Sequence, residues 1–160
     1  MMNNKIKTAN ALKKRLISLK KEGKRIVFTN GCFDILHYGH VKYLQEAKNK
    51  GDILVVAVNS DSSVKKLKGP FRPIVGQKNR TRVLSALESV DFVTIFSEDT
   101  PLKLIKLLRP DILVKGGDWD KKSIVGGRLV ESWGGKVISL PYVKDQSTTN
   151  IIDKIGKAKL

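Results

Sequence analysis

Residues 52–58, Asp52-Ile53-Leu54-Val55-Val56-Ala57-Val58, are apolar from Ile53 onward on both of a strand's alternating faces. A strand with no polar side must be covered from above and below, so it belongs in the centre of a parallel sheet with helices on both sides. The stretch before it continues the pattern. Ile26-Val27-Phe28 reads as a short buried strand, and Asn30-Gly31 breaks it. After His40 the spacing turns helical through Val41, Leu44, Gln45 and Lys48, with Gly51 as the stop. Strand, helix and parallel strand make a right-handed crossover, the unit from which a doubly wound sheet grows.

The rest of the chain keeps the alternation. Residues 8–22 place Leu12, Leu16 and Leu19 at helical spacing, with lysines on the other face and Gly23 at the end. Asn59-Ser60-Asp61-Ser62 forms a cap cluster for a short helix to Lys68, and residues 77–89 predict a helix with Val83, Leu84 and Leu87 inward. Between them Lys68-Gly69-Pro70-Phe71-Arg72-Pro73-Ile74 is a loop, because Gly and Pro forbid a helix there. Further strands are expected at 91–96, 111–114 and 136–140. A helix with Thr100 as its cap and Pro101 at its first position is stopped by Arg109-Pro110, a second spans 125–133, and a third opens near Thr149. Neither an internal repeat nor a linker interrupts this. The expected fold is a single α/β domain over residues 1–160, a doubly wound, mostly parallel, Rossmann-like sheet of five strands.

Composition narrows the functional classes. At 41% hydrophobic and 29% charged, the chain is ordinary for a soluble globular domain. No apolar run approaches a membrane span and no hydrophobic leader opens the chain. One cysteine, Cys32, cannot close an internal disulfide, which fits a reducing cytoplasm. The formal net charge of +16 fits nucleic acid, an anionic substrate or a general lysine bias. The lysines are scattered, however, and no basic block is interleaved with aromatics as single-strand binders require. Neither nucleic acid nor membrane is the expected partner; phosphorylated small molecules are.

Chemistry concentrates where predicted strands end. His37 and His40, separated by Tyr38-Gly39, stand at a helix entrance, where unpaired N–H groups and the dipole favour an anion. Gly31 and Gly39 are expected to let a ligand approach the backbone there. Lys115-Gly116-Gly117-Asp118-Trp119 follows another buried strand, and Lys68 and Arg72 put two cations on a loop. Arg80 lies near a helix start, an unfavourable place for a cation unless it has an anionic partner. Gln146-Ser147-Thr148-Thr149-Asn150 makes either a good helix cap or a second anion cradle. Cys32 sits inside the first loop, where a small packed residue is the plainer reading. No GxGxxG follows the first strand, which disfavours a nicotinamide oxidoreductase.

Asn30-Gly31-Cys32-Phe33-Asp34 followed by His37-Tyr38-Gly39-His40 resembles the GxFD…HxGH signature of the nucleotidyltransferase superfamily. Further stretches sharpen the resemblance: Lys68-Gly69-Pro70 with Arg72-Pro73, Val90-Asp91, Leu113-Val114-Lys115-Gly116-Gly117-Asp118, and Ser147-Thr148-Thr149-Asn150-Ile151-Ile152. In that order they are similar to the D-glycero-β-D-manno-heptose 1-phosphate adenylyltransferases, the nucleotidyltransferase half of bifunctional ADP-heptose synthases. No kinase half accompanies it here, so a free-standing version is expected.

The resemblance implies transfer of AMP from ATP to a heptose 1-phosphate, giving ADP-heptose and pyrophosphate. A cytidylyltransferase acting on glycerol 3-phosphate or a similar phosphorylated alcohol is the alternative, and a non-enzymatic nucleotide or nucleic-acid binder a remote one. Cytidylyltransferases tend to carry Met-Gly-Asp-Asp-Trp where this chain has Lys115-Gly116-Gly117-Asp118-Trp119, and an arginine just before the Ser-Thr-Thr run, where Gln146 stands. The implied catalytic residues are His37, His40, Lys115 and Arg80. The nucleotide would be held by Asn30, Gly31, Cys32, Phe33, Gly39, Gly116, Asp118, Ser147, Thr148 and Thr149. Lys68 and Arg72 would hold the sugar phosphate, and Asp34 would either join them or brace the loop. Mg²⁺ is expected mainly on the triphosphate, and a homodimer is implied.

Overall fold

The computed structural model describes residues 4–117, 123–141, 143–144 and 146–158. Among these, strands and helices succeed one another in the order α1 (Ala9–Lys21), β1 (Ile26–Gly31), α2 (Tyr38–Lys48), β2 (Ile53–Asn59), α3 (Asp61–Lys68), α4 (Gln77–Ser85), β3 (Phe92–Phe96), α5 (Leu102–Leu108), β4 (Ile112–Gly116), α6 (Gly127–Ser132), β5 (Lys136–Leu140) and α7 (Thr148–Lys157). The five strands form one parallel sheet in the order β3-β2-β1-β4-β5, the Rossmann-like α/β fold expected. The chain winds outward from β1 in one direction and from β4 in the other, so the topological switch point lies between those two strands. In open α/β sheets that is where ligands bind.

Strand alternation sorts the core into two layers. Ile26 and Phe28 of β1, with Val55 and Ala57 of β2, pack against Leu12, Leu16 and Leu19 of α1 and Leu104, Ile105 and Leu108 of α5. Val27, Leu54, Val56 and Val58 face the other way, against Leu44 and Ala47 of α2 and Leu84 of α4. Both faces of the central strands are therefore dry, as the uninterrupted apolar run at 53–58 requires.

Three carboxylates clamp the ends of the strands away from the switch-point loops. Asp111 accepts from Ile26 N at 2.8 Å and pairs with Lys20 at 3.2 Å. Asp91 accepts from Leu54 N at 2.7 Å and from Lys48 at 2.6 Å, and Asp52 accepts from Arg25 N at 2.7 Å. At the outer edge, Lys7 N donates to Val93 O and Val93 N to Lys5 O, each at 2.9 Å. The N-terminal segment thus covers part of β3's open edge.

Several helix boundaries differ from expectation, among them those of the helix expected over 125–133, which spans Gly127–Ser132. The helix expected over 77–89 ends at Ser85, and Leu87 packs from the following turn. The cap expected from Thr100 is not made. Pro101 takes the cap position and its carbonyl accepts from Ile105 N at 2.9 Å, so α5 opens through backbone alone. Among the described residues, no helix is long and apolar enough to cross a membrane.

Candidate active site

A cleft of about 750 Å³ opens over the C-terminal ends of β1, β2 and β4, within the size range of small-molecule sites. His37, His40 and Gly39 line it from the start of α2, and Asn30, Gly31, Cys32, Phe33 and Asp34 from the end of β1 and its loop. Lys68 enters from the last turn of α3 and Arg72 from the loop after it, Lys115 and Gly116 from β4, and Ser147, Thr148 and Thr149 from the start of α7. Segments far apart in sequence thus converge on one space. A larger groove, about 990 Å³, lies between α1, α5 and the end of β3, but it contains neither histidine nor any of these loops.

The histidines are the centre of the cleft. Their rings stack with centroids 3.9 Å apart and planes 30° apart, and Phe33 meets His40 edge-on at 5.2 Å. Both Nδ1 atoms are buried without a partner among the described residues. Burial lowers the pKa of each ring, and His37 beside it helps push His40 down to about 4. The cleft therefore presents two neutral imidazoles with unpartnered Nδ1 atoms. His37 is the N-cap residue of α2 and makes no side-chain cap bond, so the first amides of the helix are not covered by it.

Lys115 lies in the same cleft, and burial lowers the pKa of its ammonium, with Lys68 nearby acting in the same direction. An anion would relieve both effects. Burial pushes the Cys32 thiol up, against Lys68, Arg80 and Arg72, which pull it down. A protonated thiol is a poor nucleophile, which agrees with the packed role read from sequence.

Opposite α2, the Ser147 hydroxyl accepts from Asn150 N at 3.0 Å, and Thr148 Oγ1 donates to Ile35 O at 3.4 Å. This run is therefore a working helix cap as well as a lining of the cleft.

Arg80 has different surroundings from those expected, and Asp34 makes the bracing contacts that are one of its two expected roles. Arg80 does not line the cleft: its side chain is fully buried. Its Nε donates to Val75 O at 2.9 Å, Nη1 to Cys32 O, and Nη2 to Asn59 O and Asp61, both at 2.8 Å. The anionic partner demanded by its helix position is Asp61 of the protein itself, and the guanidinium ties three loops together.

Asp34 likewise braces. Its buried carboxylate accepts from Arg72 Nε at 2.6 Å, Ile74 N at 2.9 Å and Val75 N at 2.8 Å. Burial raises its pKa, but the Val75 and Ile74 amides and the Arg72 guanidinium outweigh that and leave it below the ordinary range. Between these two anchors Phe33 is held in the left-handed region at φ 46, a conformation costing about 1–3 kcal/mol for such a residue.

A prediction follows for Asp34→Asn. The amide keeps one acceptor oxygen and loses the charge, so stability should fall by about 1.5–3 kcal/mol, read as a lower urea midpoint at pH 7. Because the folded carboxyl titrates below its unfolded value of about 3.9, its contribution is present above that pH and lost as pH falls through the lower folded value.

The glycines also depart from the simplest expectation. A Cβ at Gly31 would lie 3.0 Å from the Phe33 ring, and one at Gly39 would lie 2.9 Å from Gln146 Cβ and 3.0 Å from the His37 ring. The nearest space over each is filled by protein, so Gly39 lets the segment before α7 close onto the histidine turn. Asp118 and Trp119 lie outside the described residues.

Tyr43, Asn59 and Gln146 also line the cleft, though the sequence had assigned none of them to the site. Tyr43 was within reach, since it follows His40 by three positions on one helix and so shares its face. Gln146 stood beside the Ser-Thr-Thr cradle, while Asn59 carried only the signal of a helix cap.

Comparison with known proteins agrees with this geometry. The chain is 56% identical over 151 residues to the bifunctional protein HldE of Geotalea uraniireducens, covering 94% of this chain and 31% of that one. It is 53% identical over 154 residues to HldE of Geobacter sulfurreducens, covering 96% and 31%. It therefore spans about a third of the length of the curated relatives it matches. Among solved structures, the lipopolysaccharide core biosynthesis protein of Thermoplasma volcanium superposes with a TM-score of 0.63 at 32% identity, over 78% of this chain and all of that one. The pantoate-beta-alanine ligase of Francisella tularensis, at 17% identity and a TM-score of 0.62, shares the fold. With residues 28–154, from β1 and the histidine turn to α7, matching the cytidylyltransferase-like family, the chain belongs to that family of nucleotidyltransferases.

Proposed function

We propose that this domain transfers AMP from ATP to a heptose 1-phosphate, releasing pyrophosphate and forming ADP-heptose. The observation that carries the reading is the stacked His37–His40 pair, neutral and with unpartnered buried nitrogens, at an uncapped helix start facing the hydroxyls of α7. Such a site is short of an anion. The similarity to the HldE proteins over nearly the whole chain and the resemblance to heptose 1-phosphate adenylyltransferases supply the substrates.

A phosphate oxygen of the sugar is already a nucleophile. It attacks the α-phosphorus of ATP, a Pα–O bond forms, and the bond to the β-phosphate breaks. The protein's work is alignment and charge stabilisation rather than base catalysis. In this reading His40 donates to the α-phosphate and His37 to the α- and β-phosphate oxygens, while Ser147 and Thr148 hold the β,γ-unit that leaves. Lys115 balances the charge that develops. Lys68 and the outer edge of Arg72, whose Nε is committed to Asp34, hold the sugar phosphate. Asn30, Gly31, Gly116, Thr149 and Asp118 complete the nucleotide's surroundings. Arg80 acts by holding the Cys32 and Val75 carbonyls, one step removed from the ligand.

No cluster of acidic, histidine and cysteine side chains among the described residues could hold a metal ion. Mg²⁺ enters this reading as a counter-ion carried on the nucleotide's own phosphates, where it neutralises charge.

Pyrophosphate release with Mg²⁺, crossing ATP, CTP and GTP against both anomers of heptose 1-phosphate and against glycerol 3-phosphate, tests the proposal. Turnover with ATP and a heptose 1-phosphate alone is expected. Turnover with CTP and glycerol 3-phosphate would keep the phosphate chemistry and replace both substrates.

A further inference from the structure

We infer that Tyr43 is a positioning residue for nucleotidyl transfer, its hydroxyl bridging the fork between β1 and β4 and so setting how deep His40 sits in the cleft. The inference rests on the reaction proposed above and adds to it a residue outside the histidine signature.

The fork is visible in the strand register. Pairing between β1 and β4 runs through Val27–Ile112 and Phe28–Leu113. Yet β1 stays paired with β2 as far as Gly31, and β4 with β5 as far as Gly116. The two central strands part at the switch point, and the cleft stands over the gap.

Thr29 is the first β1 residue past the last pair and Val114 the first in β4. Thr29 is completely buried. Its parity along β1 is that of Val27, which faces α2, and its Oγ1 lies 2.6 Å from Tyr43 Oη. Tyr43 Oη donates in turn to Val114 O at 3.3 Å. One phenol therefore spans both arms of the fork, with the Thr29 hydroxyl as donor and the Val114 carbonyl as acceptor.

Tyr43 and His40 are three residues apart on α2, on one face of the helix. Among the described residues the His40 ring has no hydrogen bond to locate it; it rests on Phe33 and His37. Its place is inherited from the helix backbone. Leu44 and Ala47 hold that helix to the sheet by apolar contact, which sets no direction. Directed bonds from α2 side chains to the rest of the fold come, among the described residues, from Tyr43 near the histidines and from Lys48 at the far end. A phenol fixed at both arms is thus the nearest directional reference for an imidazole that must meet a phosphate oxygen within a fraction of an ångström.

Tyr43→Phe tests this, since it keeps the ring and removes the bridge. The expected result is a fall of about tenfold or more in kcat for pyrophosphate release, within the range that a sub-ångström to ångström misplacement produces. The KM for ATP should change less than kcat, and Tm by a few degrees. Thr29→Val removes one arm only and should give a smaller loss in the same direction, and the double variant should be no worse than Tyr43→Phe alone. Should Tyr43→Phe fail to fold, Thr29→Val carries the test.

A second readout needs no substrate. The chain contains two histidines, so histidine-labelled NMR reports His37 and His40 and nothing else. In the wild type His40 titrates at about 4; in Tyr43→Phe, as the ring gains water, its titration should move up toward the ordinary histidine value. A moved titration in a protein whose wild type shows no turnover would remove the proposed reaction and leave the positioning role intact. Unchanged kcat, or a kcat loss with an unchanged His40 titration, would overturn the inference.

Discussion

Replacing His40 with alanine is expected to lower kcat for pyrophosphate release by about 10²–10³-fold, the usual loss when one preorganised donor to a developing oxyanion is removed. The fold should survive. Among the described residues the ring makes no hydrogen bond, its Nδ1 is an orphan, and its ring contacts are with Phe33 and His37 in the cleft. Circular dichroism and the melting curve should stay close to wild type while turnover collapses; near-normal turnover would remove His40 from the chemistry.

The same variant has a pH signature. His40 titrates at about 4 in the folded protein but at about 6.5 in the unfolded chain. Between those values the unfolded state binds the proton and the folded state does not, so stability falls as pH falls through that window. His40→Ala should flatten the dependence of the urea midpoint between those pH values. A residual slope from His37, whose pKa burial also lowers, should remain. The Asp34 contribution is lost at still lower pH, which keeps the two effects separable.

Arg80→Met should be the most destabilising single change considered, at about 3–5 kcal/mol. It leaves the carbonyls of Val75, Cys32 and Asn59 without their donor, beneath loops that bury a side chain of no exposure. Asp61 loses its partner too, but at 40% exposure it can turn to water. For a domain of this size the loss corresponds to a fall in Tm of roughly 6–20 °C.

Arg80→Lys discriminates between roles. An ammonium can reach one or two of these acceptors but cannot reproduce the planar fork. Partial recovery of stability together with recovery of kcat is expected of a brace. A stable Arg80→Lys protein with kcat reduced as far as in His40→Ala would instead return Arg80 to the substrate.

Most of the fold was legible because its causes are local. Residues 53–58 show no polar side, and α1 repeats leucine at helical spacing, so each element carries its own period and burial pattern. The helix boundaries that slipped at Ser85 and Pro101 are places where backbone carbonyls or later packing did the work of a side-chain cap. The site was legible in part for the same reason. Two histidines around a glycine, after a strand and before a helix, place themselves at a helix entrance, and helix N-termini collect anions.

By itself, then, the sequence determined which residues sit where strands end and helices begin, because period, capping and turn chemistry act within a few residues. It did not determine which charges remain available to a ligand. Arg80 and Arg72 look alike on a linear reading, yet one is spent on Cys32, 48 positions away, and on two other carbonyls, while the other gives one nitrogen to Asp34 and lines the cleft. Tyr43 reads as a helix-face aromatic until β1 and β4 part beneath it and leave a threonine hydroxyl and a carbonyl to be bridged. Those outcomes belong to the tertiary structure alone. A hydrogen bond selects its partner by distance and direction in space, and only the packed sheet brings the partners within reach.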